Sequence, residues 1–332
     1  MRAPTTPDPI HCKRSSSDSS HIINRADVSG KPLLSNLYDV STKISFMDEH
    51  NIDISVLSLG NPWLDFLPAE GAAEIASMNE EMQDLCSCHP GRLFFFATLP
   101  ITSSISSILS EIQQLKQYPL CRGIVLGYND FGSGLDAPEV LPMLRGIADA
   151  GFPIFFHPNN GLPGEVFGPC CADYGQVLPV SLGFTTETMI AITRIFLAGI
   201  FDSIPELRVI LSHAGGTLPF IAGRIEACIE NFPTSSAGGS SDPRKTIWQV
   251  LKSNIYLDGV VFDGIPLRAA ADAVDIDRLM FGTDHPLFPR TRKDGMYATI
   301  GTNRDATEAC FGKGVDCDKV MSGNAARILN LK

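Results

Sequence analysis

At 332 residues and 44% hydrophobic, the chain can bury one large core or two smaller ones. Its net charge of −11 argues against a protein that tracks nucleic-acid phosphates, yet a single well-placed arginine could still hold a small anion. No segment reads as the roughly 18 apolar residues of a membrane span, and the polar, serine-rich first 25 residues lack the apolar core of a secretory signal.

Residues 1–36 show no strand or helix pattern and read as a disordered or atypical polar segment ahead of one domain at 37–332. From residue 44 onward short apolar runs alternate with amphipathic ones. Strands are predicted at 53–62, 92–100, 121–129, 152–158, 207–216, 254–261 and 277–286. Between them come helices at 70–89, 103–118, 138–150, 186–201, 218–232, 243–252 and 265–274, with a last helix at 316–331. The stretch 235–244 reads as a loop ending in Asp242-Pro243, a helix start, and 290–304 as a polar insert with Arg290, Arg292 and Lys293.

Near-continuous apolar strands joined by helical crossovers indicate a parallel α/β sheet. A doubly wound sheet would accept seven strands but should carry a glycine-rich phosphate loop, and neither G-x-G-x-x-G nor a Walker A sequence occurs. A (β/α)8 TIM-type barrel places polar groups at the C-terminal ends of several strands, the pattern found here, although its first strand is missing or degraded. His157 ends "FPIFFHP", His213 ends "LRVILSH", and Asp284 ends "DRLMFGTD". Two imidazoles and a carboxylate at one barrel mouth suit either a Zn²⁺ site with an open position or a general acid–base site. Asp284 could bind a metal through one oxygen and pass a proton with the other.

Nine cysteines, none in a C-x-x-C pair, read as the reduced thiols of a cytoplasmic protein. Cys170 and Cys171 form one vicinal pair in a loop.

The motifs "FFHPNNGLP" (155–163), "HAGGTLPFIAGRIE" (213–226) and "MFGTDHP" (280–286) resemble the amidohydrolase-superfamily decarboxylases. This branch includes aminocarboxymuconate-semialdehyde and resorcylate decarboxylases, and the likeness is greatest to the fungal isoorotate (uracil-5-carboxylate) group, over about residues 40–332. The resemblance implies a homodimeric barrel with one divalent metal, commonly zinc. It implies His157 as a metal ligand, Asp284 as metal ligand and proton carrier, and His213 as a group orienting substrate or water. Asn61, Arg224 and Phe288 are the implied substrate contacts, with Trp63 at the pocket rim or in the core. The family's opening His-x-His strand has no counterpart: the nearest histidine, His11, is followed by Cys12 and Lys13, and His21 lies in a polar stretch without a strand signature. Leu287 stands where the isoorotate group tends to carry an aromatic residue, and Phe288 is the available substitute.

The expected activity is metal-dependent, non-oxidative decarboxylation of a small aromatic or pyrimidine carboxylate, with neither nucleic acid nor membrane as partner. Two alternatives stand beside it. One is a truncated or divergent non-catalytic homologue. The other is a metal-dependent hydrolase of a lactone or amide, disfavoured because "CRGIVLG" lacks the bridging lysine such enzymes carry on strand four.

Overall fold

The computed structural model describes residues 21–24, 27–32, 39–61, 63–64, 67–128, 131, 134–158, 162–232, 244–288 and 293–331. The first elements, β1 (His21–Asn24) and β2 (Asp27–Pro32), form an antiparallel hairpin, so His21 opens a strand that the polar composition did not announce. Helix α1 (Val40–Glu49) follows, started by the Asp39 carboxylate accepting from Ser41 N at 2.9 Å.

Each predicted apolar run then contains a short strand. They are β3 (Ser55–Leu57), β4 (Leu93–Ala97), β5 (Cys121–Leu126), β6 (Ile154–Phe156), β7 (Val209–Leu211), β8 (Ile255–Asp258) and β9 (Leu279–Met280). All are parallel and paired in chain order, giving a curled seven-stranded sheet whose end strands β3 and β9 do not pair with each other. No eighth strand joins this sheet among the described residues.

Alternation along the strands separates two apolar clusters. Leu93, Phe95, Ile154, Phe156, Val209, Leu211, Ile255 and Leu257 pack outward into the large core shared with the helices. Phe96, Val125, Ile210, Tyr256 and Met280 fill the inner face with Trp63, Ile328 and Leu329, and Phe155 packs against them. This two-sided burial is why the runs read as nearly continuous apolar stretches.

The crossovers are α2 (Ala72–Ser87), α3 (Ile105–Leu115), α4 (Leu141–Asp149), α5 (Phe184–Leu197), α6 (Ile200–Ser203), α7 (Leu218–Asn231), α8 (Ile247–Ser253) and α9 (Gly264–Val274). The predicted 186–201 helix divides at Gly199, whose φ of 72° suits glycine and breaks the helical path. Helix α8 starts at Ile247, where Thr246 and Gln249 form a capping box, and the predicted Asp242-Pro243 start lies outside the described residues.

The supposed polar insert contains the first half of α10 (Ala298–Phe311). The final predicted helix resolves into α11 (Val315–Asp318), a wide turn at Lys319–Gly323, and α12 (Asn324–Ile328). This C-terminal segment clamps β9: Asn324 Nδ2 donates to the carbonyls of Ile276 and Leu279 at 2.7 and 2.8 Å, and Phe281 N donates to Val320 O at 2.8 Å.

One stretch, Pro179–Leu197, is after all long and apolar enough to cross a membrane by length and composition. It carries Glu187 and Arg194, and its Ile192, Ile195 and Phe196 are buried in the large core, which accounts for its hydropathy.

Candidate active site

The inward residue of β6 is Phe155, so His157, two positions on, points to the same side. By the same rule Asp258 follows the inward Tyr256 at the end of β8. His213 and Asp284 reach the site through tight turns after β7 and β9, with left-handed φ values of 53° and 49°. The turn after β7 also needs Gly216, at φ 63°, where a Cβ would collide with the Thr185 carbonyl.

These strand ends converge. The rings of His157 and His213 lie 5.0 Å apart. Ala214 N, next to His213, donates to Asp258 Oδ1 at 3.2 Å, and Asp258 in turn lies near enough to Asp284 to disfavour its charge.

Burial pushes His157 down to about 4 and His213 down to about 3, the latter helped by the neighbouring His157. Both imidazoles are therefore neutral at pH 7. His157 Nδ1 contacts the Pro158 carbonyl at 2.7 Å and so carries the proton, which leaves the Nε2 lone pair for a ligand. His213 Nδ1 is buried with no hydrogen-bond partner among the described residues.

The carboxylates respond oppositely. Burial raises Asp258 to about 6, although amides of Val260 and Ala214 donate to it. Burial, with the Asp258 charge added, raises Asp284 to about 7, far above the usual carboxylate range.

Aromatic rings wall this group. Trp63 stands 5.9 Å from His157 and is nearly perpendicular to it, its carbonyl held by Thr98 Oγ1 at 2.7 Å. Phe184, the first residue of α5, lies 6.1 Å from both His157 and His213.

The other predicted residues distribute differently. Asn61 is half-buried in the turn leading to Trp63. Arg224 is exposed on α7 and makes no hydrogen bond or ion pair among the described residues. Phe288, 39% exposed, pairs its ring with Phe262 at 5.2 Å rather than with either imidazole. His285 turns away from Asp284 and stacks on Phe46 of α1 at 3.6 Å, beside Tyr297.

Sequence reasoning passed over two residues. Asp258 had the same signal as the others, an acid closing an apolar run before glycine in "IYLDG". Phe184 had none, because its place depends on the path of the loop preceding α5.

The donor set suits a divalent cation in chemistry: a neutral imidazole lone pair and two half-buried carboxylates that repel each other. In number it falls short. Among the described residues no three His, Cys, Asp or Glu side chains come close enough together to hold an ion, and His11 lies outside those residues.

Comparison with known proteins places this geometry in context. A family model described as amidohydrolase matches residues 65–331. The crystal structure of Metarhizium anisopliae IDCase in apo form superposes with a TM-score of 0.86 at 47% identity, covering 91% of this chain and 81% of that one. The 2-amino-3-carboxymuconate-6-semialdehyde decarboxylase of Dictyostelium discoideum is 29% identical over 261 residues, 77% of this chain and 68% of its own length. A dihydroxybenzoic acid decarboxylase from Polaromonas sp. JS666, solved with bound manganese and the inhibitor 2-nitroresorcinol, shares the fold with a TM-score of 0.74. It is 23% identical, and the match covers 90% of this chain and 88% of that one.

Proposed function

The chain belongs to the amidohydrolase family, and from that membership we propose that it is a metal-dependent, non-oxidative decarboxylase of a planar aromatic or heteroaromatic carboxylic acid. The observation that carries the reading is the pairing of the His157 and His213 rings, 5.0 Å apart under the Trp63 and Phe184 rings, at the strand ends where Asp258 and Asp284 also stand.

Phe184 and Trp63 would receive the flat face of the acid and exclude water from it. Asp284 would deliver its carboxyl proton to the ring carbon that bears the carboxylate. The C–C bond then breaks, CO₂ leaves, and the bonding pair returns to the ring to restore its conjugation. Desolvation first, and the Asp258 charge second, favour that proton on Asp284. His213, neutral and with Nδ1 buried, would orient the substrate's oxygen substituent.

A divalent ion would be held by His157 Nε2 and the Asp284 carboxylate, and would supply Lewis-acid charge to the substrate's carboxylate and adjacent oxygen. Zinc is the ion the family resemblance implies, and manganese stands beside it because the Polaromonas protein binds it. The substrate class we favour is a pyrimidine or hydroxybenzoate carboxylate, on the likeness to IDCase and to the two other decarboxylases. We further propose that residues 37–332 act as one domain within a homodimer. Eight unpaired cysteines among the described residues support a reducing, cytoplasmic location.

The test is CO₂ release from isoorotate and from a panel of hydroxybenzoates, with zinc or manganese added and with a chelator. Metal-dependent CO₂ and the matching decarboxylated product are expected. Absence of CO₂ from every acid tried would overturn the proposal, and a ring-opened product would indicate a hydrolase.

A further inference from the structure

Cys170 and Cys171 take no part in the chemistry above. They sit midway along the 162–183 segment, which leaves the His157 strand and delivers Phe184 to the pocket. Cys170 is exposed, Cys171 is partly exposed, and neither is bridged. Both line an open cavity of about 560 Å³ together with Glu165, Gly168 and Pro169. The Cys171 sulfur also faces Gly164, 3.8 Å from where a Cβ would stand there, so the start of the segment passes close to its middle at this thiol.

We propose that Cys170 and Cys171 form a reversible dithiol–disulfide site, oxidised by a hydroperoxide, that sets the freedom of the segment carrying Phe184. One thiolate attacks the peroxide O–O bond, takes a hydroxyl to become a sulfenic acid, and releases the alcohol (water, when the oxidant is hydrogen peroxide). The neighbouring thiolate then attacks that sulfur, the S–S bond forms, and hydroxide leaves as water. The two sulfurs lose two electrons in total, and the peroxide bond gains them.

Chain geometry makes this bridge a switch and not a staple. Consecutive Cα atoms across a trans peptide are about 3.8 Å apart, below the roughly 4.4–6.8 Å usual between bridged cysteines. A bond forced into that spacing is strained and readily reduced, as regulatory disulfides are. It also closes a small ring around the 170–171 peptide. The Cys170 carbonyl, which accepts from Asp173 N at 3.0 Å, and the turn Cys171–Tyr174 must adjust to that ring, and the path to Phe184 adjusts with them.

The experiment is a hydrogen peroxide titration of the purified full chain, followed by blocking of free thiols and peptide mass mapping. The expected result is a 170–171 peptide lighter by two hydrogens, unblocked, and restored by dithiothreitol. Amide exchange in 164–184 should slow on oxidation while that of β4 stays unchanged. Cys170→Ser and Cys171→Ser should each abolish both effects and leave Cys88 and Cys228, also exposed, reacting as before. Blocking of both residues 170 and 171 under conditions that oxidise Cys88 or Cys228 would overturn the proposal, as would a bridge that leaves exchange in 164–184 untouched. None of these readouts needs turnover, so failure of the decarboxylase reading would be separately visible.

Discussion

Asp284 and Asp258 stand half-buried at the ends of their strands, where desolvation holds each carboxyl's proton well above the usual range. Replacing Asp284 with Asn removes the proton while keeping the shape. Turnover should fall by about 10²–10⁴-fold with an unchanged circular dichroism spectrum, measured as CO₂ release. Because the working form is the protonated acid, the rate should decline as pH rises through the titration of Asp284, which desolvation raises above the usual carboxylate range in the metal-free protein. Phe184→Ala should raise KM about three- to tenfold and change kcat less, since an aromatic contact is worth about 0.5–1.5 kcal/mol beyond its area. His157, His213 and Asp284 were legible because polar groups closing apolar runs are conspicuous. Asp258 was equally legible and overlooked. Phe184 was not, since an aromatic residue inside an apolar segment carries no local mark of the cavity it reaches.

At the scale of elements, the pattern gave every strand of the seven and placed most helices within a few residues. It failed at α10, and the reason is visible in what that helix buries: Thr299, Gly301, Asn303 and Thr307 as well as Ile300 and Ala306. A helix face built from small polar residues has little hydrophobic periodicity to detect. What holds it is hydrogen bonding, with Asn303 Oδ1 accepting from Phe262 N at 2.7 Å and from Val261 N at 3.3 Å. Asn303→Leu would leave two loop amides without that acceptor and should cost about 2–3 kcal/mol, read as a lower urea midpoint. The β1–β2 hairpin escaped for a related reason, its two strands offering only Ile22, Ile23 and Val28 as large apolar residues and no sustained run.

For the whole molecule, the curled parallel sheet was readable from the alternation of runs, as was the want of an eighth strand among the described residues. The metal follows from the same shortage: with no third ligand near His157 and Asp284 among the described residues, a dialysed sample should retain well under one ion per chain by elemental analysis. Acid stability of the metal-free protein reflects His157, His213 and His285, held low, set against Asp258 and Asp284, held high. Between about pH 6.5 and 4 the unfolded chain takes up protons that His157 and His213 refuse in the fold, so these groups withdraw stability as pH falls. Asp258 works the other way, binding its proton more tightly in the folded state between about pH 6 and 4. His213→Asn should therefore lose less stability than the parent on going from about pH 7 to 4.5 in urea titrations. The clamp on β9 carries one more implication. Leu279 and Ile276 owe a donor to Asn324, and the stretch that follows them ends in the acid that would do the chemistry. Helix α12 is thus a tether for a group at the opposite end of a strand, and Asn324→Ala, which removes those two donated bonds, should slacken the proton donor before it disturbs the rest of the sheet.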